Sequence, residues 1–184
     1  MRILAISGSL RGGSHNTLLL RAAGALLGAG DELELWEGLR EVPPYDQDDD
    51  AEPAPAAVAA LREAVASADA VLIATPEYNS SIPGALKNAL DWASRPYATS
   101  AFRNKPVAVI GSSAGLFGAV WAQAELRKVL AAMGARVADV EVAVRRVEEK
   151  LDAEGRLTDD TVRIELEDAL ATLLAEAKPV LVAA

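Results

Sequence analysis

The chain has 184 residues, of which 51% are hydrophobic and 24% charged, the composition of one ordinary globular domain with a sizeable core. Its 18 Lys and Arg against 27 Asp and Glu leave a net charge of −9, the wrong balance for meeting a nucleic-acid backbone. No cysteine is present and His15 is the single histidine, which excludes disulfides, thiolate metal sites, iron–sulfur clusters and a cysteine nucleophile, and disfavours any triad or metal site built on histidine.

The first expected strand is 2–7; its apolar run is too short for the core of a signal peptide, so a cytoplasmic location is expected. A helix follows, with Leu19, Ala23, Leu26 and Leu27 on one stripe. The second strand is expected at 31–36. The acidic run Tyr45-Asp46-Gln47-Asp48-Asp49-Asp50 then reads as a solvated loop rather than a metal site, and a helix is expected at 55–67. Strand 70–75 precedes a helix striped by Ile82, Leu86, Leu90 and Ala93, with Pro83 suited to its first turn. Strand 106–111 leads to a helix at 120–133, strand 136–144 to a turn at 152–155 and a last helix at 159–177. The uncharged stretch 106–124 has the length of a membrane span, but Gly111-Ser112-Ser113-Ala114-Gly115 breaks it into a strand, a loop and a helix start. Val71-Leu72-Ile73 and Val107-Ala108-Val109-Ile110 are continuous apolar runs, the pattern of central strands covered on both faces. Five strand-plus-helix units predict a three-layer α/β sandwich on a parallel sheet, formed by 1–184 as a single domain.

Open α/β sheets bind ligands beyond the carboxyl ends of their strands, so three loops carry the functional question. The first, Ser7-Gly8-Ser9-Leu10-Arg11-Gly12-Gly13-Ser14-His15-Asn16-Thr17, runs into a helix. Its glycines, hydroxyls and Arg11 suit a phosphate cradle at a helix N-terminus. The triphosphate P-loop fails, because Ser14-His15 stands where Lys and Ser/Thr are needed; the dinucleotide fingerprint fails at Leu10. A terminal phosphate monoester fits better, and the plain alternative is a Gly/Ser turn with a capping serine. The second loop, Thr75-Pro76-Glu77-Tyr78-Asn79-Ser80-Ser81-Ile82-Pro83-Gly84, offers a rigid proline, an aromatic face and an amide to a planar heterocycle, or is simply a proline turn before a helix. The third, Gly111-Ser112-Ser113-Ala114-Gly115-Leu116-Phe117-Gly118, offers small residues and free N–H groups, and reads equally as a flexible connector.

The segments Gly8-Ser9-Leu10-Arg11-x-x-Ser14-x-Asn16 and Thr75-Pro76-Glu77-Tyr78-Asn79-x-Ser81-Ile82-Pro83-Gly84-x-Leu86-Lys87-Asn88-Ala89-Leu90-Asp91-Trp92 resemble the NADPH-dependent FMN reductase family of flavodoxin-like fold, which includes bacterial quinone, chromate and azo-dye reductases. The likeness continues through Lys105-Pro106-Val107-Ala108 and Gln123-Ala124-Glu125-Leu126-Arg127 and loosens beyond about residue 134. It implies a five-stranded sheet of order 2-1-3-4-5 and one bound FMN. Ser9, Arg11, Ser14, Asn16 and Thr17 would meet the phosphate and ribityl end, and Pro76, Glu77, Tyr78 and Asn79 the isoalloxazine ring. Ser112, Ser113 and Gly115 would border the ring, where many relatives carry a Pro-Gly-Gly type sequence and this chain has Ser113-Ala114-Gly115. His15 would be a bystander.

The implied activity is an FMN-dependent NAD(P)H oxidoreductase reducing quinones, free flavins, azo dyes or metal oxyanions by a ping-pong cycle, with NADPH or NADH as co-substrate and no catalytic side chain or metal required. An electron-carrying flavodoxin is the alternative, although such carriers usually sandwich the ring between aromatics and only Tyr78 is placed to do so. A phosphoacceptor receiver domain lacks its acidic residues, since Ser7-Gly8 and Thr75-Pro76 occupy the strand ends. Trp92 and Trp121 on the third and fourth helices, with the habit of the family, predict a homodimer or homotetramer whose interface walls the flavin pocket.

Overall fold

In the computed structural model, which describes residues 1–152 and 154–178, successive strand residues alternate between two separate cores. Leu4, Ile6, Val71, Ile73, Val107 and Val109 face one side of the sheet; Ile3, Ala5, Leu72, Ala74, Ala108 and Ile110 face the other. That period of two, repeated on three neighbouring strands, explains why their sequences are apolar throughout. The strands are β1 (Arg2–Ser7), β2 (Glu32–Trp36), β3 (Ala70–Thr75), β4 (Pro106–Ser112), β5 (Arg136–Val137) and β6 (Val142–Val144). All pair in parallel, in the order β2-β1-β3-β4-β5, with β6 also on β4. The topology is that of the flavodoxin-like sandwich.

Helices α1 (His15–Ala25) and α5 (Asp160–Ala177) cover one face; α2 (Ala56–Ser67), α3 (Gly84–Ala93) and α4 (Val120–Ala132) cover the other. Their N-termini lie at the carboxyl ends of the strands that precede them. The stretch 106–124 divides as expected into β4, a loop and the start of α4, and among the described residues no helix is long and apolar enough to cross a membrane. The acidic loop at 45–50 is anchored at its ends: Tyr45 N–H donates to Asn88 Oδ1 at 2.7 Å, and Asp50 pairs with Arg62 at 3.0 Å. The turn expected at 152–155 includes residue 153, and the single domain expected over 1–184 includes 179–184, all of which lie outside the described residues.

Three expectations need correction. The last strand, expected unbroken over 136–144, is two short strands. Arg136 opposes Pro106 and Val137 opposes Val107, but Val142 opposes Ile110, so two extra residues bulge out between them. Val140 N–H turns back to Ala138 O at 2.9 Å while Val140 O accepts from Arg127 Nη2 at 2.5 Å, which removes this segment from the ladder. Pro83 caps α3 with extended backbone instead of entering its first turn. Trp92 is 1% exposed, donates Nε1–H to Pro43 O at 2.9 Å and packs edge-on against Tyr45 at 5.0 Å, a core role that leaves only Trp121, 48% exposed, for an interface.

Candidate functional site

Three loops leave the carboxyl ends of β1, β3 and β4 and enclose a cleft of about 410 Å³. The β1–α1 loop is wound around serine hydroxyls. Ser7 Oγ accepts from Thr17 Oγ1 at 2.8 Å and more loosely from Ser9 N–H at 3.4 Å. Ser14 is the N-cap of α1: its buried Oγ accepts from Thr17 N–H at 3.3 Å. The capping serine expected from the sequence is therefore present. Among the described residues the N–H groups of Gly12, Gly13, Ser14, His15 and Asn16 find no protein acceptor, and they lie at the positive end of the α1 dipole. The exposed Arg11 lines the same cleft.

Asn16 ties this loop to the next but one. Its amide, 3% exposed, donates Nδ2–H to Ser112 O at 3.2 Å and accepts Ser112 N–H on Oδ1 at 2.9 Å. Beyond Ser112 the β4–α4 loop is no free connector. Ser113 N–H donates to Val144 O at 3.0 Å, Arg146 N–H to Gly115 O at 3.0 Å, and Val147 N–H to Ser113 O at 3.1 Å. Gly118, at φ +60°, presses so close that a Cβ would lie 2.4 Å from the Ala143 carbonyl carbon, and no larger residue fits there. Ser112 Oγ is buried at the cleft wall and has no hydrogen-bond partner among the described residues.

The β3–α3 loop is held by its own polar groups. Glu77 Oε2 accepts from Trp121 N–H and Ala122 N–H, each at 3.1 Å, and so caps α4, whose own N-cap Ala119 has no side chain for the task. Tyr78 and Ser81 exchange backbone bonds at 3.0 and 3.1 Å around Asn79 and Ser80, whose φ values of 53° and 60° make a tight turn of the mirror-image type. Ser81 Oγ then donates to Glu125 Oε2 at 2.5 Å. The Tyr78 ring is 54% exposed at the lip of the cleft.

Of the twelve residues singled out in the sequence, nine line the cleft: Ser9, Arg11, Ser14, Asn16, Pro76, Glu77, Tyr78, Ser112 and Ser113. Three do not. Thr17 faces a neighbouring pocket, Asn79 is at the tip of its turn, and Gly115 is engaged by Arg146. The cleft also takes His15, Ala114 and Glu148, with His15 Nε2 3.6 Å from Glu148 Oε1. His15 and Ala114 stand inside motifs already noticed. Nothing local marked Glu148, which reaches the site because β6 carries the chain back alongside β4. Among the described residues no group of three His, Cys, Asp or Glu is placed to hold a metal ion.

Comparison with known proteins shows the family. Residues 1–149 match the family described as NADPH-dependent FMN reductase. An NAD(P)H-dependent FMN reductase of Pseudomonas aeruginosa is 42% identical over 94% of this chain and 93% of its own. A 2-hydroxy-1,4-benzoquinone reductase of Burkholderia is 38% identical over 89% of this chain and 88% of its own. Among solved structures, the flavoenzyme NAD(P)H:(acceptor) oxidoreductase FerB of Paracoccus denitrificans superposes with a TM-score of 0.87 at 34% identity, covering 96% of both chains.

Proposed function

The chain belongs to the NADPH-dependent FMN reductase family and is thereby an FMN-dependent oxidoreductase; from that premise we propose that it reduces quinones, with free flavins, azo dyes and metal oxyanions as further acceptors. One observation carries the reading. Ser14, His15 and Asn16, whose N–H groups find no acceptor among the described residues, and Arg11 line a cleft that also carries the exposed Tyr78 ring. FMN has a phosphate for the first and a flat ring for the second. The cleft volume is within the range of small-molecule sites, and the unpartnered Ser112 Oγ supplies a hydroxyl where a ligand polar group would lie.

Bound FMN supplies the hydride and electron chemistry. The protein's own residues bind and orient. The α1 N-terminus and Arg11 hold the phosphate through charge-assisted hydrogen bonds, and Ser9 and Ser14 add hydroxyls. Asn16 fixes the β1–α1 loop against Ser112 so that both walls keep their spacing. Pro76, Glu77 and Tyr78 flank the ring. The N–H groups of Glu77 and Asn79 remain available to ring heteroatoms, while that of Tyr78 is committed to Ser81. Glu77 fixes this loop by capping α4. Tyr78 is the single Phe, Trp or Tyr among the described residues that line the cleft, which would leave one face of a bound ring accessible to coenzyme and acceptor in turn. This favours the reductase over an electron carrier with an enclosed ring.

At the same end of the sheet, Phe117 and Trp121 are exposed and packed together at 4.9 Å. A second copy of the chain covering them gives a homodimer or homotetramer in the cytoplasm, measurable by light scattering at micromolar concentration. The activity test is steady-state oxidation of NADPH and NADH with a quinone by the purified yellow protein. Turnover with parallel double-reciprocal lines is expected; absence of turnover with either coenzyme contradicts the reading.

A further inference from the structure

On the β2 side of residues 9–12 lies a second pocket, of about 190 Å³, walled by three arginines and three hydroxyls: Arg11, Arg21, Arg40, Ser7, Ser9 and Thr17. The guanidinium groups come from three different elements: the β1–α1 loop, α1, and the turn of 3-10 helix at Gly38–Glu41. Such convergence stands out in a chain of net charge −9. One carboxylate, Glu37, shares the wall; it is 4.0 Å from Arg21 in an exposed, loose pair of little strength. Arg40 donates Nη2–H to Leu10 O at 2.6 Å, which aims the side chain at the loop and leaves its other donors uncommitted. Three guanidinium charges facing one carboxylate make a site for a phosphate.

The pocket is the middle of a track. It shares Ser9 and Arg11 with the cleft, and Trp36 and Glu37 with a trough of about 880 Å³ walled by Pro43, Pro55, Ala56, Ala57 and Ala60. Trp36 stands at the join. A Cβ at Gly38 would come within 2.7 Å of the Trp36 ring, so the indole rests directly on the backbone of the 3-10 turn. From β4 across β3 and β1 to β2 are three strand spacings, about 14 Å, a distance that an extended dinucleotide spans.

Resting on the oxidoreductase reading above, we propose that Arg21 and Arg40, which line this pocket and not the cleft, form the subsite for the 2′-phosphate of NADPH, with the adenine laid along the Trp36 trough, so that the enzyme prefers NADPH to NADH. A 2′-phosphate monoester places nearly two negative charges on one group, which NADH lacks at that position. The preference therefore resides in residues outside the flavin cleft.

The test measures kcat/KM of the FMN-loaded protein for both coenzymes in the wild type, in Arg21→Glu and in Arg21→Glu with Arg40→Gln, together with calorimetric binding of 2′,5′-ADP and 5′-AMP. The double variant is expected to lose roughly tenfold or more with NADPH while NADH kinetics and FMN content are unchanged. In the wild type 2′,5′-ADP should bind roughly tenfold tighter than 5′-AMP, and Arg21→Glu, which leaves the Arg40–Leu10 bond intact, should remove most of that difference. Equal binding of the two nucleotides, or parallel loss with both coenzymes, overturns the proposal. Loss of FMN from Arg21→Glu also overturns it, by assigning the pocket to the flavin phosphate. If the wild type oxidises neither coenzyme, the oxidoreductase reading has failed, and the nucleotide titration still decides the pocket.

Discussion

The loop after β1 and the loop after β3 sit over the same end of the sheet, yet they use their polar groups in opposite ways. In the first, five consecutive N–H groups and an arginine have no protein partner among the described residues, around two glycines that open space. In the second, Glu77 is committed to α4, Tyr78 to Ser81 and Ser81 to Glu125. On the proposed reading the first loop receives a charge, while the second is held rigid by its own bonds. A motif rich in polar residues is thus no list of ligand contacts. Buried polar groups need partners, and those that find them within the chain hold the wall while those that do not are left for the ligand.

Substitutions in the two loops should separate affinity from stability. Arg11→Ala is expected to have the largest effect on the cofactor, weakening FMN by about 1.5–3 kcal/mol in a fluorescence titration, with the unfolding midpoint of the FMN-free protein unchanged. Glu77→Ala should do the reverse: two N–H groups of α4 lose their acceptor, and the FMN-free protein should lose about 1–2 kcal/mol in urea unfolding. Glu77→Gln keeps an acceptor oxygen and should recover most of that. The smallest effect is expected at Asn79, where alanine at left-handed φ should cost about 1 kcal/mol and glycine should be neutral, with FMN affinity the same in both. If Asn79→Ala released FMN as strongly as Arg11→Ala, the division of labour between the loops would be wrong.

The parts of the fold that were legible in the sequence are those dictated by burial. β1 and β3 run over the residues their apolar patterns mark, and α2, α4 and α5 begin or end within a residue of their expected limits. The last strand was misread because Val137, Val140, Val142 and Val144 look like one continuous run. The bulge between them depends on Arg127, which burial holds below its ordinary pKa and which donates from another helix to the Val140 carbonyl. At the site, the capping of α1 by Ser14 was legible because it is local: the serine stands immediately before the helix it caps. The brace between Asn16 and Ser112, the capping of α4 by Glu77 and the arrival of Glu148 were not, since each joins residues far apart in the chain. Trp92 and Trp121 look alike in sequence; only the fold puts one beneath Tyr45 and the other in solvent.

The account turns on the β1–α1 loop receiving a phosphate. Titrating the FMN-free protein with FMN and with riboflavin, which share the ring and differ by that phosphate, measures this directly. FMN should bind at least about a hundredfold more tightly, two charge-assisted hydrogen bonds being worth roughly that much, and the advantage should shrink in Arg11→Ala. Equal affinity for FMN and riboflavin would contradict the assignment of the loop and of the site built around it.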